Sequence, residues 1–269
     1  MPLIDVGQRK VYHEIHGEDA GTPLLLVAGM GGSCQGWLPL QIPEFSKQQR
    51  VVSFDHRGVG NSGDPGGPFS IAQFADDAVA LLDVLGIERA HVLGSFMGGM
   101  VAQEMALRHA GRVERLVLTG TYARPDAKRR LLLEHWAKLA QGGASLGALI
   151  RERLLWTLLD ETLESTDLIQ SMIEFFAKDG MPLTAEVLAR QCDACLGHDT
   201  ADRLGDIPHR TLVICGEQDQ LTPPALNGQV ADSIPHARLI AIPYAAHLVL
   251  FEAAEHYNRV VLRFIAEGR

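Results

Sequence analysis

The stretch Val92-Leu93-Gly94-Ser95-Phe96-Met97-Gly98-Gly99-Met100 decides the fold of this 269-residue chain. Its apolar start and glycine-rich centre indicate a buried strand that turns tightly into a helix. Gly94 and Gly98 stand two residues to either side of Phe96, at the positions where a strained turn leaves little room for side chains. We therefore predict a sharp strand-to-helix turn with Phe96 at its tip.

The residue at the tip of this turn is unusual. The stretch resembles the G-x-S-x-G pattern, in which a serine nucleophile occupies the tip, but Phe96 stands at that position here. Ser95 does not replace the missing serine, because centring the pattern on Ser95 would put Leu93 and Met97 at the two crowded positions. The turn is preserved and its nucleophile is absent.

Two segments before this turn run from a buried strand into a glycine-containing loop. Residues 24–33, LLLVAGMGGS, resemble the H-G-x-G-G loop whose backbone N–H helps to form an oxyanion hole, with Ala28 in place of the histidine. Residues 51–62, VVSFDHRGVGNS, resemble a D-x-R-G-x-G-x-S turn. Its Asp55 and Arg57 are predicted to be structural, since an arginine fork ties loops together.

Two segments after the turn resemble the carriers of a catalytic acid and a catalytic histidine. Residues 212–219, LVICGEQD, are followed by Pro223 and end in Asp219. His247 lies ahead of Phe251-Glu252, as in the segment G-H-x-x-x-x-E. The order of turn, Asp219 and His247 matches the order serine, acid and histidine.

On these motifs, spread from about residue 24 to 265, the chain resembles the α/β-hydrolase superfamily. Within that superfamily it is most similar to small enol-lactone hydrolases, aminoacrylate hydrolases and methyl esterases. The resemblance implies an α/β fold with a mostly parallel eight-stranded sheet flanked by helices. It also implies a core of residues 1–121 and 206–269, with a helical cap over 122–205 inserted after the sixth strand.

Hydrophobic patterning agrees with an alternation of strands and helices. The predicted strands cover residues 9–16, 24–29, 50–55, 90–95, 113–119, 210–215 and 237–242. The predicted helices of the core cover residues 70–86, 97–109, 223–233 and 251–266, and Ser70 with Gln73 resembles a capping box.

The region from about 122 to 205 lacks convincing strands. Its helical segments lie around 126–141, 144–160, 165–178 and 183–195, separated by Gly142-Gly143, Gly180 and Pro182. Cys192 and Cys195 have the spacing of metal ligands, but a second ligand pair is absent from the sequence, so we expect two semi-buried thiols on a helix.

Composition narrows the classes of function. The net charge of -9 argues against nucleic acid or an anionic membrane surface as a partner. No basic start followed by a long apolar run suggests a signal peptide, and no apolar run is long enough to span a bilayer. We expect a cytoplasmic protein, monomeric or homodimeric, that binds a small molecule without metal or other cofactor.

The resemblance also assigns roles to individual residues. His247 is the expected base and Asp219 its orienting acid, Phe96 holds the nucleophile position, and the turn itself is built from Gly94, Ser95 and Gly98. The backbone N–H groups of Met30 and Met97 are the expected oxyanion hole. The substrate implied is a small carbonyl compound such as an ester, lactone or thioester.

Three interpretations of Phe96 remain open at this point. In the first interpretation it is an introduced or accidental replacement in a serine hydrolase, which disables acyl-enzyme chemistry, since serine to phenylalanine needs one base change. Alternatively it belongs to an enzyme in which His247 and Asp219 drive elimination, dehydration or water addition without an acyl-enzyme. In the third interpretation the protein keeps the pocket for ligand binding and has lost catalysis.

Overall fold

The centre of the molecule is one eight-stranded sheet. A computed structural model describes residues 3–7, 9–18, 21–177 and 183–267. The strands are β1 (Leu3–Val6), β2 (Arg9–His16), β3 (Leu24–Val27), β4 (Val51–Phe54), β5 (Ala90–Ser95), β6 (Val113–Thr119), β7 (Thr211–Gly216) and β8 (Ala237–Ile242). Their order across the sheet is β1-β2-β4-β3-β5-β6-β7-β8.

Six of the strands run parallel, and β1 and β2 are antiparallel at one edge. The predicted fold class, a mostly parallel eight-stranded sheet, is therefore confirmed. The sequence analysis located seven of these strands and missed β1. Its four residues, LIDV, lie at the sheet edge and are mostly not buried, so they give a weak pattern.

Helices cover both faces of the sheet. In chain order they are α1 (Ile42–Phe45), α2 (Ile71–Val84), α3 (Met97–Arg108), α4 (Ala127–Gln141), α5 (Leu146–Thr157), α6 (Asp160–Leu163), α7 (Thr166–Ala177), α8 (Ala185–Leu196), α9 (Pro224–Ser233), α10 (Val249–Glu252) and α11 (Ala254–Ala266). The predicted capping box is present at the start of α2, where Ser70 and Gln73 bond reciprocally.

Alternate residues of the central strands enter two different cores. Leu25 and Val27 of β3 pack with α2, α3 and α9, whereas Leu24 and Leu26 pack with α1 and α11 on the other face. All four are fully buried. This burial on both sides explains why the central strands read as continuous apolar runs.

Two predicted helices are interrupted. The segment predicted at 144–160 ends at Thr157 because Leu158 adopts an extended backbone, and α6 begins after it. The segment predicted at 251–266 is divided at Ala253, whose φ of -126° is not helical, into α10 and α11. Neither break involves a glycine or proline, so no residue at these positions signals the end of a helix.

A helical insertion, α4 to α8, connects β6 to β7. Gly180 and Pro182, predicted to separate two of its helices, lie outside the described residues. The expectation of semi-buried thiols at Cys192 and Cys195 is wrong, since both are fully buried. Helix α8 packs against α4 and against the loop after β3, where the Cys192 Sγ atom lies 3.6 Å from the Met30 Sδ atom.

Within the described residues, no helix is both long and apolar enough to cross a membrane.

The turn from β5 into α3 brings backbone segments into very close approach. A Cβ atom on Gly98 would lie 2.1 Å from the carbonyl oxygen of Val27, and one on Gly94 would lie 2.0 Å from the carbonyl oxygen of Gly98. Side chains at either position would overlap with backbone, which cannot swing aside as a flexible side chain can. Glycine is therefore required at both positions.

We expect Gly98→Ala to lower the free energy of unfolding by about 3 kcal/mol or more, because the methyl group must displace the end of β3. Gly111→Ala is the matched control, since a Cβ atom there meets nothing within 4 Å. Urea denaturation of both variants measures the difference. Equal stability of Gly98→Ala and the parent would show that the turn is less constrained than its geometry indicates.

Candidate active site

A cavity of about 150 Å³ lies between the helical insertion and the carboxyl ends of β3 and β5. Four of the sequence-predicted site residues, Met30, Ser95, Phe96 and His247, line it. Most of the remaining lining is apolar and includes Trp37, Ile150, Leu154, Phe176, Leu183, Leu221, Leu248 and Leu250. The cavity can hold a small, largely apolar molecule.

His247 and Asp219 form a buried, hydrogen-bonded pair. The Nδ1 atom of His247 lies 2.8 Å from Oδ2 of Asp219, and the residues are 4% and 3% exposed. The hydroxyl of Thr222 donates to the same carboxylate oxygen at 2.7 Å and lies 3.0 Å from Nδ1 of His247. This arrangement fixes the imidazole tautomer with the proton on Nδ1 and leaves Nε2 to act as a base.

Glycines at the ends of two strands bring this pair together. Gly216 ends β7, and a Cβ atom there would lie 2.2 Å from the carbonyl oxygens of Ala245 and Ala246. The loop that carries His247 therefore packs directly on the start of the loop that carries Asp219. Gly120, which follows β6 with a φ of +52°, would place a Cβ atom 3.1 Å from the His247 ring.

Phe96 occupies the tip of the turn with a strained backbone, at φ 49° and ψ -108°. A positive φ costs a bulky side chain of order 1–3 kcal/mol, and it persists where the surroundings enforce it. The N–H of Phe96 donates to the carbonyl of Thr119 at 2.9 Å, and its carbonyl accepts from the Thr121 hydroxyl at 3.0 Å. These bonds hold the tip in place.

The phenyl ring of Phe96 packs edge to face against the His247 imidazole. The ring centroids are 5.3 Å apart and the planes make an angle of 83°. Among the described residues, the ring bonds of His247 run from Nδ1 to Asp219 and Thr222, and none joins it to Ser95. The histidine thus faces an aromatic ring where the family pattern places a hydroxyl.

The backbone donors expected at the oxyanion hole lie on two separate elements. Met97 is the first residue of α3, so its N–H has no acceptor within the helix and stands at the positive end of the helix dipole. Met30 belongs to the loop after β3, and its N–H meets no acceptor among the described residues. Met30 lines the cavity and Met97 does not, so the oxyanion hole stays a prediction.

Side chains from the loop after β4 and from α8 hold the loop after β3. The Nε2 atom of buried His56 lies 3.0 Å from the carbonyl oxygen of Ala28, and the side chain of Gln191 on α8 accepts from the N–H of Gly31 at 2.7 Å. The helical insertion therefore contributes directly to the shape of this loop.

Arg57 binds Asp77 on α2 through two hydrogen bonds of 2.8 Å, as the prediction of a structural fork expects. Asp55 is buried, and its carboxylate accepts from the N–H groups of Cys34 and Asn61. The two side chains tie the loop after β4 to its neighbours and do not line the cavity.

Glu252 links the histidine loop to the helical insertion. One of its oxygens accepts from the N–H of Leu159 at 2.8 Å and from the hydroxyl of Thr162 at 2.7 Å. The other oxygen accepts from the N–H of Ala246 at 2.7 Å. A single carboxylate therefore binds the residue before His247 and the start of α6 at the same time.

Three residues of the site were missed from the sequence: Gly120, Arg153 and Thr222. Thr222 follows Asp219 by three residues, and its N–H donates to the carboxylate at 2.7 Å, a local pattern that an Asp-x-x-Thr spacing signals. Gly120 follows directly on a buried strand, which is a weak signal. Arg153 lines the cavity from α5, and nothing in its sequence context marks it.

The family model for the alpha/beta hydrolase fold matches residues 22–254. The chain belongs to the α/β hydrolase fold family. The resemblance predicted from the motifs is confirmed, and with it the resemblance to enzymes.

Relatives of this hydrolase family extend over the full chain. A protein of Azorhizobium caulinodans named "Putative carbamate hydrolase RutD" is 34% identical over 269 residues, which are 99% of this chain and 99% of the relative. The crystal structure of the enol-lactonase from Burkholderia xenovorans LB400 is 29% identical with a TM-score of 0.91, over 99% of this chain and 100% of that one. A meta-cleavage product hydrolase from Pseudomonas fluorescens IP01 is 27% identical with a TM-score of 0.83, over 97% and 96%.

Burial lowers the pKa of His56 to about 4. The unfolded chain protonates this residue near pH 6.5, so stability is full above that pH and is lost as the pH falls towards 4. We expect the parent to lose about 2 kcal/mol between pH 7 and pH 5 through His56 alone.

Urea denaturation at both pH values tests this. His56→Gln should show a pH-dependent loss smaller by that amount, whereas His236→Gln, at an exposed position, should keep the parent's loss. The same pH dependence in His56→Gln and the parent would contradict the assignment.

Proposed function

We propose that this protein hydrolyses a small carbonyl compound, an ester, lactone or thioester, with a water molecule that His247 activates. The observation that carries the proposal is the buried pair of His247 and Asp219, which stays hydrogen-bonded at 2.8 Å beside a cavity although Phe96 stands at the nucleophile position. A benzyl side chain has no nucleophilic atom, so no acyl-enzyme can form on it.

In this mechanism Nε2 of His247 removes a proton from water, and the hydroxide oxygen attacks the substrate carbonyl carbon. Asp219 stabilises the imidazolium that results. The N–H groups of Met30 and Met97 bind the negative charge that develops on the carbonyl oxygen. The tetrahedral intermediate then collapses, the bond to the leaving group breaks, and the imidazolium returns its proton to that group.

We further propose that residues 122–205 act as a cap over this cavity. Support comes from Ile150, Leu154 and Leu183, which lie within that range and line the cavity opposite the strand ends. Activity without a metal or other cofactor, a cytoplasmic location and a monomeric or homodimeric state stay predictions.

Phe96→Ser should create or raise hydrolysis of aryl acetates, on the order of a hundredfold or more, because the base, its orienting acid and the oxyanion donors are already in place. The initial rate of phenolate release measures it. Phe96→Ala is the matched control, since it makes the same space without a hydroxyl. A gain of equal size in both variants would assign the effect to space rather than to a nucleophile.

The parent protein should hydrolyse small lactones such as dihydrocoumarin. In His247→Ala, kcat for this reaction should be about a hundred- to ten-thousand-fold lower than in the parent. Titration of the released acid measures turnover, and Asp219→Asn should lower kcat through the wrong imidazole tautomer. His236→Gln serves as the control at an exposed position. Lactones and esters that bind the parent but are not turned over would contradict hydrolysis and favour a ligand-binding protein.

A further inference from the structure

Arg153 is a cationic side chain placed inside the candidate active site. It extends from α5 of the helical insertion to the loop after β3, and it lines the same cavity as His247 and Phe96. One guanidinium nitrogen donates to the carbonyl of Met30. Another would lie 2.7 Å from a Cβ atom on Gly31, so the guanidinium rests on the backbone where a side chain would otherwise stand.

No carboxylate among the described residues pairs with Arg153. Arg153 is half-buried, and other buried or half-buried arginines do have such partners: Arg57 binds Asp77, Arg129 binds Asp126 and Arg190 binds Asp64. Withdrawing a charge from water is costly unless it is paired, so a half-buried arginine that faces a cavity without a carboxylate partner is expected to serve a ligand.

Neighbouring thiols do not supply the missing negative charge. Burial raises the pKa of Cys192 to about 12 and raises that of Cys195 well above its usual value. Both thiols are therefore neutral near pH 7. Burial also lowers the pKa of Arg153, whose side chain stays partly exposed.

The other described residues of the cavity wall bring no acidic side chain to it. Among the described residues of that wall, Arg153 is thus the one arginine, lysine, aspartate or glutamate, in a protein whose net charge is -9. A guanidinium has five N–H donors, and one carbonyl acceptor leaves most of them for a ligand. Carboxylates match its planar fork through two parallel hydrogen bonds.

We propose that Arg153 binds a carboxylate of the substrate, so that this protein acts on small carbonyl compounds that carry a negatively charged carboxylate on a short apolar body. The short apolar body follows from Ile150, Leu154 and Leu183, which line the same cavity as Arg153 and would contact that part of the substrate. The statement about the substrate rests on the proposed function, whereas the binding of a carboxylate does not.

Isothermal titration of hexanoate and of hexanamide tests the site without any turnover. The two probes share a six-carbon chain and differ in charge. We expect the parent to bind hexanoate at least about tenfold more tightly, because hydrogen bonds to a charged group are stronger than neutral ones. Equal binding of the two probes by the parent would overturn the proposal without any variant.

Variants assign the preference to a residue. Arg153→Gln should remove the preference for hexanoate, and Arg153→Lys should retain part of it. Arg151→Gln, an exposed arginine two residues earlier on α5, should leave the preference unchanged. A preference that survives in Arg153→Gln would place the carboxylate elsewhere, for example on the N–H groups of Met30 and Met97, and would overturn the assignment.

This experiment separates the two proposals. Binding of hexanoate that depends on Arg153, without turnover of any carbonyl compound, would leave the carboxylate site standing and remove the hydrolytic function. Turnover of lactones without any preference for carboxylate-bearing ones would support the hydrolytic function and remove the carboxylate site.

Discussion

The contact between the start of α3 and the end of β3 is the constraint on which the rest of this structure depends. A Cβ atom on Gly98 would lie 2.1 Å from the Val27 carbonyl oxygen, so the helix can dock this closely only through glycine. The docking places the start of α3, whose first N–H groups have no acceptor within the helix, directly after the cavity-lining residue Phe96. It also sets the distance between the turn and the loop after β3, the two segments that carry the backbone N–H groups proposed to bind the carbonyl oxygen.

The histidine and its acid are organised independently of residue 96. Asp219 is held by the N–H and hydroxyl of Thr222, and the loop before His247 packs on Gly216. None of these contacts involves the tip of the turn. The hydrogen bonds between His247, Asp219 and Thr222 therefore do not depend on the side chain at position 96. The edge-to-face contact with Phe96 even supplies the imidazole with a packing partner.

The sequence predicts the fold and most of the site residues because their signals are local. Buried strands read as apolar runs, and glycines mark the places where backbones meet, as at Gly94 and Gly98. Arg153 could not be found in this way, since its role depends on which face of α5 meets the cavity. The full burial of Cys192 and Cys195 likewise depends on how α8 packs, which helical periodicity does not determine.

The three hydrogen bonds to Glu252 couple the helical insertion to the loop that carries His247. Its carboxylate is shared between the N–H groups of Leu159 and Ala246 and the hydroxyl of Thr162. A movement that lifted the start of α6 would also pull on the residue next to the imidazole. The position of the His247 imidazole is thus coupled to that of α6, and a ligand that enters without displacing the imidazole has to pass a different part of the cavity wall.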